Sequence, residues 1–309
     1  MNTSALAGRP VIFGEILWDE FADGTRTLGG APFNVAWHLQ GFGLQPLLIS
    51  RVGCDRAGDE ALMQINAWGL DQSGAQRDAH HATGAVHVTL ESGQPDFNIL
   101  ADRAFDYIES AAALRIVEGI RSSVLYHGSL VARAGGSREA LTKLRSTLRL
   151  PTYVDVNLRA PWWDHALIWQ VLRGARWAKM SYDELAEVNE TPTLRNSPIA
   201  ELARGVRDTF EFELLVASHG SQGTYFVSSD DTHWVAAGSV QHLVDTIGAG
   251  DALSAVVILG LQRGWSRTLT QQRATEFGGS ICTVKGALHR HQSIYDRFLR
   301  QWNEPNHAH

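Results

Sequence analysis

The sequence predicts an α/β protein with a doubly wound, mostly parallel sheet, flanked by helices and accompanied by a small β-sheet. Two observations support the main sheet: short apolar runs recur along the chain, and segments with helical periodicity separate them. Apolar runs without alternation are typical of strands buried on both faces, as in parallel sheets. Two stretches that alternate apolar and polar residues predict the small sheet.

The predicted elements alternate along the chain. Strands are expected at residues 10–16, 46–52, 124–130, 152–157, 177–181 and 214–220. Helices are expected between them, including 31–43, 137–148, 164–174 and 198–210. This order favours crossover helices on both faces of the sheet within one domain, residues 1–309. The small sheet is expected from about 17–28 and 84–108, which pair in space as a candidate lid.

Composition argues against several classes of protein. Charged residues make up 19% of the chain, the net charge is −6, and the basic residues are scattered. Nucleic acid and anionic membranes are therefore not expected partners. Cys54 and Cys282 form no disulfide framework or zinc pattern, and the N-terminus lacks a secretory pattern. The longest apolar run is about half of the roughly 20 residues that a membrane span needs. We expect a reduced, cytoplasmic protein.

The stretch "DTIGAGDALSAVVILGL" (245–261) places a glycine-rich turn before an apolar helix. Exposed amides of Gly248, Ala249 and Gly250 at the positive end of the helix dipole predict an anion site. Asp251 follows in the first turn of the helix. It either complements the dipole as a cap, or acts as a base toward a hydroxyl that attacks a phosphoryl group. The tetrapeptide alone leaves both roles open.

Further candidate segments lie where predicted strands end, which is where open α/β sheets bind ligands. The pair Gly29 and Gly30 precedes a helix that carries Asn34, so a ligand can approach the backbone closely. Ser181 and Glu184 stand at another strand end, where a capping box is the simpler interpretation.

Aromatic and histidine residues near these segments have simpler interpretations. Trp18, next to Asp19, is a candidate for stacking on a sugar. The histidines at 80, 81, 289 and 291 lack supporting metal ligands and are expected at the surface. Neither a Walker phosphate loop nor a dinucleotide fingerprint after the first strand occurs, which leaves a nicotinamide-dependent oxidoreductase as a remote alternative.

Two stretches resemble signatures of the PfkB (ribokinase-like) family of carbohydrate kinases. "LGGAPFNVAWHLQGFG" (28–43) is similar to the N-terminal signature, and "DTIGAGD" (245–251) to the C-terminal one. The resemblance runs from "GEILWDEF" to "GGSICTVKGA". It implies a ribokinase-like domain with a β-sheet lid, ATP and Mg²⁺ as cofactors, and a homodimer through the lid. Dependence on K⁺ stays open.

The resemblance also implies roles for single residues. Asp251 would be the catalytic base, and the amides of residues 248–250 the anion hole. Sugar hydroxyls would bind Asp19, Gly29, Gly30, Asn34, Asn157 and Arg159. The nucleotide would lie at Lys179, Ser218, Gly220, Ser221 and Gly223. Glu184 would organise Mg²⁺ through water, although Ser181 replaces the asparagine of the family's N-x-x-E element. Asp245 would lie at a monovalent-cation site, where Ile247 replaces a frequent threonine.

We therefore expect transfer of the γ-phosphoryl group of ATP to a primary hydroxyl of a small sugar. Fructose is the preferred substrate, because "GEILWDEF" and "DVNLR" resemble fructokinases. A 2-keto-3-deoxygluconate kinase is the alternative within this class, and its acidic substrate would need a cation such as Arg103 or Arg159. A non-catalytic sugar or nucleotide sensor on the same fold is the alternative from another class.

Overall fold

A computed structural model describes residues 5–91, 94–189, 197–238 and 242–303. In this part of the chain, a nine-stranded sheet forms the centre. Numbered along the chain together with the small sheet, its strands are β1 (Arg9–Phe13), β4 (Leu47–Gly53), β5 (Ala75–Asp78), β8 (Ser122–Gly128), β9 (Thr152–Asp155), β10 (Trp177–Ser181), β11 (Leu214–Ser218), β12 (Thr224–Val227) and β13 (Thr232–Val235). Their spatial order is β13-β12-β11-β10-β9-β8-β1-β4-β5. All pairs are parallel except β11–β12 and β12–β13.

The small sheet consists of β2 (Leu17–Phe21), β3 (Arg26–Gly29), β6 (Gly84–Glu91) and β7 (Gln94–Ile99), in the order β3-β2-β6-β7. The predicted pairing of two distant stretches is confirmed, since β2 lies parallel to β6. The stretch predicted to 108 leaves the sheet earlier, because β7 ends at Ile99 and residues 104–107 form a 3₁₀ turn. Residues 92–93 lie outside the described residues.

Helices cover both faces of the main sheet, which confirms the predicted doubly wound architecture. They are α1 (Ala31–Gly41), α2 (Arg56–Ala67), α3 (Ser110–Val117), α4 (Gly135–Leu148), α5 (His165–Leu172), α6 (Tyr182–Val188), α7 (Ile199–Phe210), α8 (Ala249–Arg263), α9 (Arg267–Ile281) and α10 (Gln292–Gln301). Among these described helices, none has the length and apolar character that crossing a membrane requires.

Alternation along each strand divides the core between the two faces. Ile12 packs with α1, α8, α9 and α10 on one face, whereas its neighbours Val11 and Phe13 pack with α3, α4, α5 and α7 on the other. Side chains of consecutive strand residues point to opposite faces, so a strand that is apolar throughout needs a helical layer on each side.

The chain reverses its progress across the sheet between β1 and β8. From β1 it proceeds to β4 and β5 on one side, and from β8 to β9, β10 and β11 on the other. The loops after β1 and β8 therefore diverge and leave a crevice at the carboxyl ends of the strands. This switch point is where such a sheet binds its ligands.

Small residues let the helices behind this crevice approach closely. A Cβ on Gly41, the last residue of α1, would lie 2.6 Å from the ring of Tyr295 on α10. That ring is fully buried, and its hydroxyl bonds His38 Nδ1 at 2.8 Å. A glycine is therefore required at this helix crossing.

Gly41→Ala is expected to lower the free energy of unfolding by about 1–3 kcal/mol, because the methyl group overpacks the rigid Tyr295 ring. Gly279→Ala is the matched control: Gly279 also lies in a helix, but no atom within 4 Å would meet its Cβ. The control is expected to gain roughly 0.5–1 kcal/mol from helix propensity. Urea unfolding measures both changes, and equal effects of the two substitutions would contradict this account of the packing.

Candidate active site

The glycine-rich turn forms the N-terminus of α8. Gly248 has a φ of +79°, and a Cβ there would lie 2.3 Å from the Cβ of Ala287, so conformation and packing both require glycine. Gly248 and Gly250 line a cavity, whereas Ala249 donates a long hydrogen bond of 3.4 Å to the Thr246 carbonyl. Amides at the positive end of the helix dipole suit this turn to an anion, and we call residues 248–250 the anion turn.

The cavity measures about 330 Å³ and lies at the switch point between β1 and β8. Most of the predicted sugar-binding and catalytic residues line it together: Asp19, Gly30, Asn34, Asn157, Arg159, Gly248, Gly250 and Asp251. Gly29 lies next to them, since a Cβ there would be 3.1 Å from Asp19 Oδ2. The small sheet supplies an apolar wall from Leu17, Val86, Phe97 and Ile99.

Asp251 and Asn34 bond directly across this cavity. Asn34 Nδ2 donates to Asp251 Oδ2 at 2.7 Å, and the two side chains are only 5% and 8% exposed. Asp251 also lines the cavity, so its carboxylate is available there rather than engaged only at the helix start. Its carboxylate therefore faces the cavity, and the simple capping interpretation does not account for it.

Burial and charge make Asp251 an unusual carboxylate. Burial raises its pKa to about 7, and the negative charge of Asp155 adds to that shift. The hydrogen bond from Asn34 and the charges of Lys179 and Arg159 act in the opposite direction. A carboxylate with a pKa near neutrality is a stronger base than an ordinary one and still ionises at physiological pH.

Lys179, predicted beside the nucleotide, lies beneath the glycine-rich turn in a buried ion pair. Its Nζ is 2.8 Å from Asp155 Oδ1, and a Cβ on Gly250 would lie 2.8 Å from the same Nζ. Ser254 donates to the other Asp155 oxygen at 2.8 Å. Burial opposes the lysine charge, but the carboxylates of Asp155 and Glu184 outweigh it and raise the pKa of Lys179. This lysine therefore stays charged behind the anion turn and does not line the cavity.

A second cavity of about 500 Å³ lies between the end of β13 and helices α9 and α10. It is lined by Val235, Ala236, Gly238, Gln272, Thr275, Glu276, Gly279, Ser280, Thr283, Arg297, Phe298 and Gln301. Helix α9 packs against the glycine-rich turn, because a Cβ on Gly278 would lie 3.0 Å from the Ala249 carbonyl oxygen. The sequence did not predict that residues of α9 line a cavity, because their spacing is that of any helix.

The other predicted nucleotide residues lie beside this second cavity, at the β11–β12 hairpin. Ser218 ends β11, Gly220 and Ser221 are exposed in the turn, and Gly223 has a φ of +110°. A Cβ on Gly223 would lie 2.1 Å from the Val235 carbonyl, so this glycine lets the hairpin pack against the cavity wall. None of these four residues lines either of the two cavities.

Comparison with known proteins identifies the family. Residues 14–292 match the model of the pfkB family carbohydrate kinases. The chain belongs to this family. Fructokinase-2 of Oryza sativa subsp. japonica is 26% identical over 317 residues, which cover 92% of each chain. A fructokinase of Escherichia coli is 29% identical over 283 residues, covering 84% of this kinase and 87% of the relative.

Crystal structures of fructokinases share the fold of this kinase. The Xylella fastidiosa enzyme with bound ATP has a TM-score of 0.81 at 20% identity, covering 96% of this chain and 99% of that one. The Vibrio cholerae O395 enzyme with fructose, ADP and calcium has a TM-score of 0.79 at 22% identity, covering 94% and 99%. A double mutant of the same enzyme, also at 0.79, holds fructose, ADP and potassium. The ribokinase-like fold is confirmed, and the protein is a phosphotransferase that acts on a sugar hydroxyl.

Both oxygens of the Glu184 carboxylate accept backbone hydrogen bonds, and its predicted role near Mg²⁺ stays a prediction. Its carboxylate accepts hydrogen bonds from Ser181 N at 2.7 Å and Leu158 N at 3.0 Å, and Ser181 Oγ accepts from Glu184 N, so the predicted capping box is present. Within residues 5–91, 94–189, 197–238 and 242–303, no group of three His, Cys, Asp or Glu side chains is arranged to hold a metal ion. Mg²⁺ often keeps several bound waters and binds substrate phosphates, so it does not require a cluster of three protein ligands.

Asp245 connects two loops at the entrance to the anion turn. Its Oδ1 accepts from Ile247 N at 3.0 Å and its Oδ2 from Gly286 N at 3.1 Å. Each carboxylate oxygen retains a further lone pair. Its role at a monovalent-cation site stays a prediction.

The structure also corrects two expectations and adds one residue. Trp18 is buried against α2, where its Nε1 donates to the Ala57 carbonyl at 3.0 Å, and it does not line the first cavity. His289 is buried rather than at the surface, and its Nε2 contacts Ser280 Oγ at 2.9 Å. Glu15, absent from the sequence analysis, lines the cavity and is 3% exposed. The available signal was a carboxylate that interrupts the apolar run predicted as the first strand, residues 10–16.

Asp251→Asn is expected to stabilise the protein increasingly as the pH rises. The folded state holds a proton on Asp251 up to about pH 7, whereas the unfolded chain releases it near 3.8. The stability that protonated Asp251 contributes at low pH is therefore lost as the pH rises through 7, and asparagine avoids this loss. The difference in unfolding free energy, variant minus wild type, should grow by about 1–3 kcal/mol between pH 4.5 and 8.

Urea unfolding at a series of pH values measures this difference. Asp230→Asn, at an exposed position in the β12–β13 turn, is the control and should give a constant difference. A flat difference for Asp251→Asn as well would contradict the proposed burial of its charge.

Proposed function

We propose that this kinase transfers the γ-phosphoryl group of ATP to a primary hydroxyl of fructose. The observation that carries the proposal is the position of Asp251, which faces a cavity of polar side chains directly beside the amides of the anion turn. The fructokinase relatives, at 26% and 29% identity, support fructose as the acceptor.

Asp251 is proposed to accept the proton of the attacking hydroxyl. Asn34 occupies Oδ2 and orients the carboxylate, which leaves Oδ1 for the substrate. The amides of Gly248 and Gly250 stabilise the negative charge on the transferring group, and the Lys179 ammonium beneath them adds positive potential. This arrangement explains why a carboxylate stands at an anion site: the amides bind the phosphoryl group, and Asp251 takes the proton.

Sugar hydroxyls are proposed to bind the remaining polar residues of the first cavity. Asp19 and Asn34 offer acceptors, and Asn157 and Arg159 offer donors. Gly29 and Gly30 leave space for the sugar against the backbone. The apolar wall from the small sheet excludes water from the reacting groups, as expected for a lid over the single domain. The same sheet has exposed edges that would suit a homodimer.

ATP is proposed to extend from the anion turn into the second cavity. The ATP complex of the Xylella fastidiosa fructokinase supports a nucleotide on this fold. Gly220, Ser221 and Gly223 would flank the nucleotide from the hairpin, with Ser218 behind them. Mg²⁺ would neutralise charge on the ATP phosphates. Glu184 would bind waters of that ion. Asp245 would lie near a monovalent cation, for which the potassium-bound fructokinase structure is a precedent.

One observation keeps 2-keto-3-deoxygluconate as a second candidate acceptor. Of the two arginines considered for its carboxylate, Arg159 lines the cavity, whereas Arg103 does not. Arg159 is exposed, and within the described residues its Nη1 donates to the neighbouring Leu158 carbonyl at 3.2 Å, so its guanidinium has donors left for a ligand.

Coupled ADP release from ATP and Mg²⁺ tests the proposal across fructose, ribose, tagatose, 2-keto-3-deoxygluconate, adenosine and glucose. Fructose is expected to give the highest kcat/KM. Asp251→Ala should lower kcat by about 10³-fold or more, because it removes the base from the transition state, while the KM for ATP stays similar. Asp230→Asn is the control and should retain full activity.

The outcomes separate the alternatives. Highest turnover of 2-keto-3-deoxygluconate would replace fructose as the acceptor. Tight sugar binding without any ADP release would favour a sensor. Activity that survives Asp251→Ala would show that the proposed base is wrong.

A further inference from the structure

Glu15 places a second buried carboxylate in the sugar cavity. It follows β1 directly after Gly14, at the switch point of the sheet, and is 3% exposed. Its Oε2 is buried and has no hydrogen-bond partner among the described residues. A buried carboxylate oxygen without a partner is costly, so the native protein needs a reason to keep it.

Neighbouring protein groups do not supply that reason. Burial raises the pKa of Glu15 to about 7, and the like charge of Asp251 adds to that shift, whereas a hydrogen bond with the Glu15 backbone acts in the opposite direction. Arg133 lowers that pKa, but its Nε and Nη2 donate to Asp106 and its Nη2 also to the Leu100 carbonyl, all at 2.8 Å. Its Nη1 is buried without a partner among the described residues, so it does not bond Glu15 either. Arg159 also lowers the pKa of Glu15 from its exposed position. Cations therefore lower the pKa of Glu15, but Oε2 of its carboxylate has no hydrogen-bond partner among the described residues.

Glycine residues hold Glu15 against the start of α1. A Cβ on Gly14 would lie 2.2 Å from Cγ of Pro32. A Cβ on Gly30 would lie 2.6 Å from the Glu15 carbonyl oxygen and 3.2 Å from its Cγ. The second glycine of the Gly29–Gly30 pair thus leaves room for Glu15 as well as for a ligand. This packing limits the directions in which the carboxylate can turn.

Other unpartnered atoms in the same cavity indicate the ligand chemistry. Asn34 Oδ1 is a buried acceptor without a partner, and Asn157 Nδ2 is a buried donor without one. With Glu15 Oε2, the cavity holds unused groups of both kinds. Hydroxyls both donate and accept, so a neutral polyhydroxy compound satisfies this set.

A sugar acid fits the same set less well. Its carboxylate would lie among Glu15, Asp19 and Asp251, and the only arginine lining the described cavity is Arg159. Like charges within a poorly solvated cavity repel strongly, which penalises an acidic ligand relative to a neutral one.

We propose that Glu15 Oε2 accepts a hydrogen bond from a sugar hydroxyl other than the one that is phosphorylated, and thereby favours neutral sugars over sugar acids. This inference rests on the proposed function of the cavity. Glu15 is a specificity-determining residue in this proposal, and Asp251 remains the base.

Kinetics with Glu15→Gln tests the proposal first. The substitution preserves shape but weakens the acceptor, so the KM for fructose should rise by about 10-fold or more while the KM for ATP stays unchanged. The ratio of kcat/KM for fructose to that for 2-keto-3-deoxygluconate should fall by at least about 10-fold. Glu20→Gln is the control, since Glu20 lies on β2 of the small sheet with a side chain 41% exposed and does not line the cavity, and it should change neither value.

Monodeoxy fructoses distinguish a direct contact from a structural effect. For wild type, one analogue should lose about 10-fold or more in kcat/KM relative to fructose, because it leaves Glu15 unsatisfied. For Glu15→Ala, the same analogue and fructose should react equally well. Melting temperatures equal to or above that of wild type would exclude misfolding as the cause of these effects.

The two proposals fail separately. Wild type without fructose turnover contradicts the proposed function. Wild-type turnover that Glu15→Gln leaves unchanged, or equal losses with every deoxy analogue in both enzymes, would overturn the role of Glu15. A wild-type preference for the sugar acid would overturn the selectivity.

Discussion

The hydrogen bond between Asn34 and Asp251 is the contact on which the rest of the site depends. Asn34 lies in the first turn of α1 and Asp251 in the first turn of α8, 217 residues apart in sequence. Their bond joins the two helices across the crevice at the switch point. The bond requires both helices to start close together. Gly248 makes this possible, because its backbone packs against Ala287 where any side chain would collide. Sheet topology, helix packing and the position of the carboxylate are thus linked through a single contact.

Charge is distributed around that contact at a cost to stability. Burial raises the pKa of Glu15 and Asp251 to about 7 and that of Asp19 to about 6. The buried ammonium of Lys179 is paired with Asp155 and offsets part of the negative charge from behind the turn. Carboxylates in a poorly solvated cavity destabilise the free protein but supply strong acceptors for hydroxyl groups. Binding sites commonly retain such unfavourable groups where function requires them.

Much of the fold follows from local patterns. The apolar runs of the central strands and the periodicity of α4, α5 and α7 predicted these elements to within a few residues, because burial on one or two faces dictates which positions are apolar. The boundary of the small sheet was less predictable. The predicted stretch extends to residue 108, yet β7 ends at Ile99, and just beyond it Arg133 binds the Leu100 carbonyl and Asp106. A contact between distant residues is not visible in the local pattern.

The sequence by itself determined the architecture and the glycine-rich turn before α8, because both depend on local geometry. The resemblance to family signatures, rather than geometry along the chain, indicated most residues that meet in the first cavity. Tertiary structure alone decided which polar groups are satisfied. Lys179 became a buried ion-pair partner, Trp18 joined the core, and Glu15 was left with an unpartnered oxygen in the cavity. Burial and pairing are properties of three-dimensional neighbours, and residue spacing along the chain does not specify them.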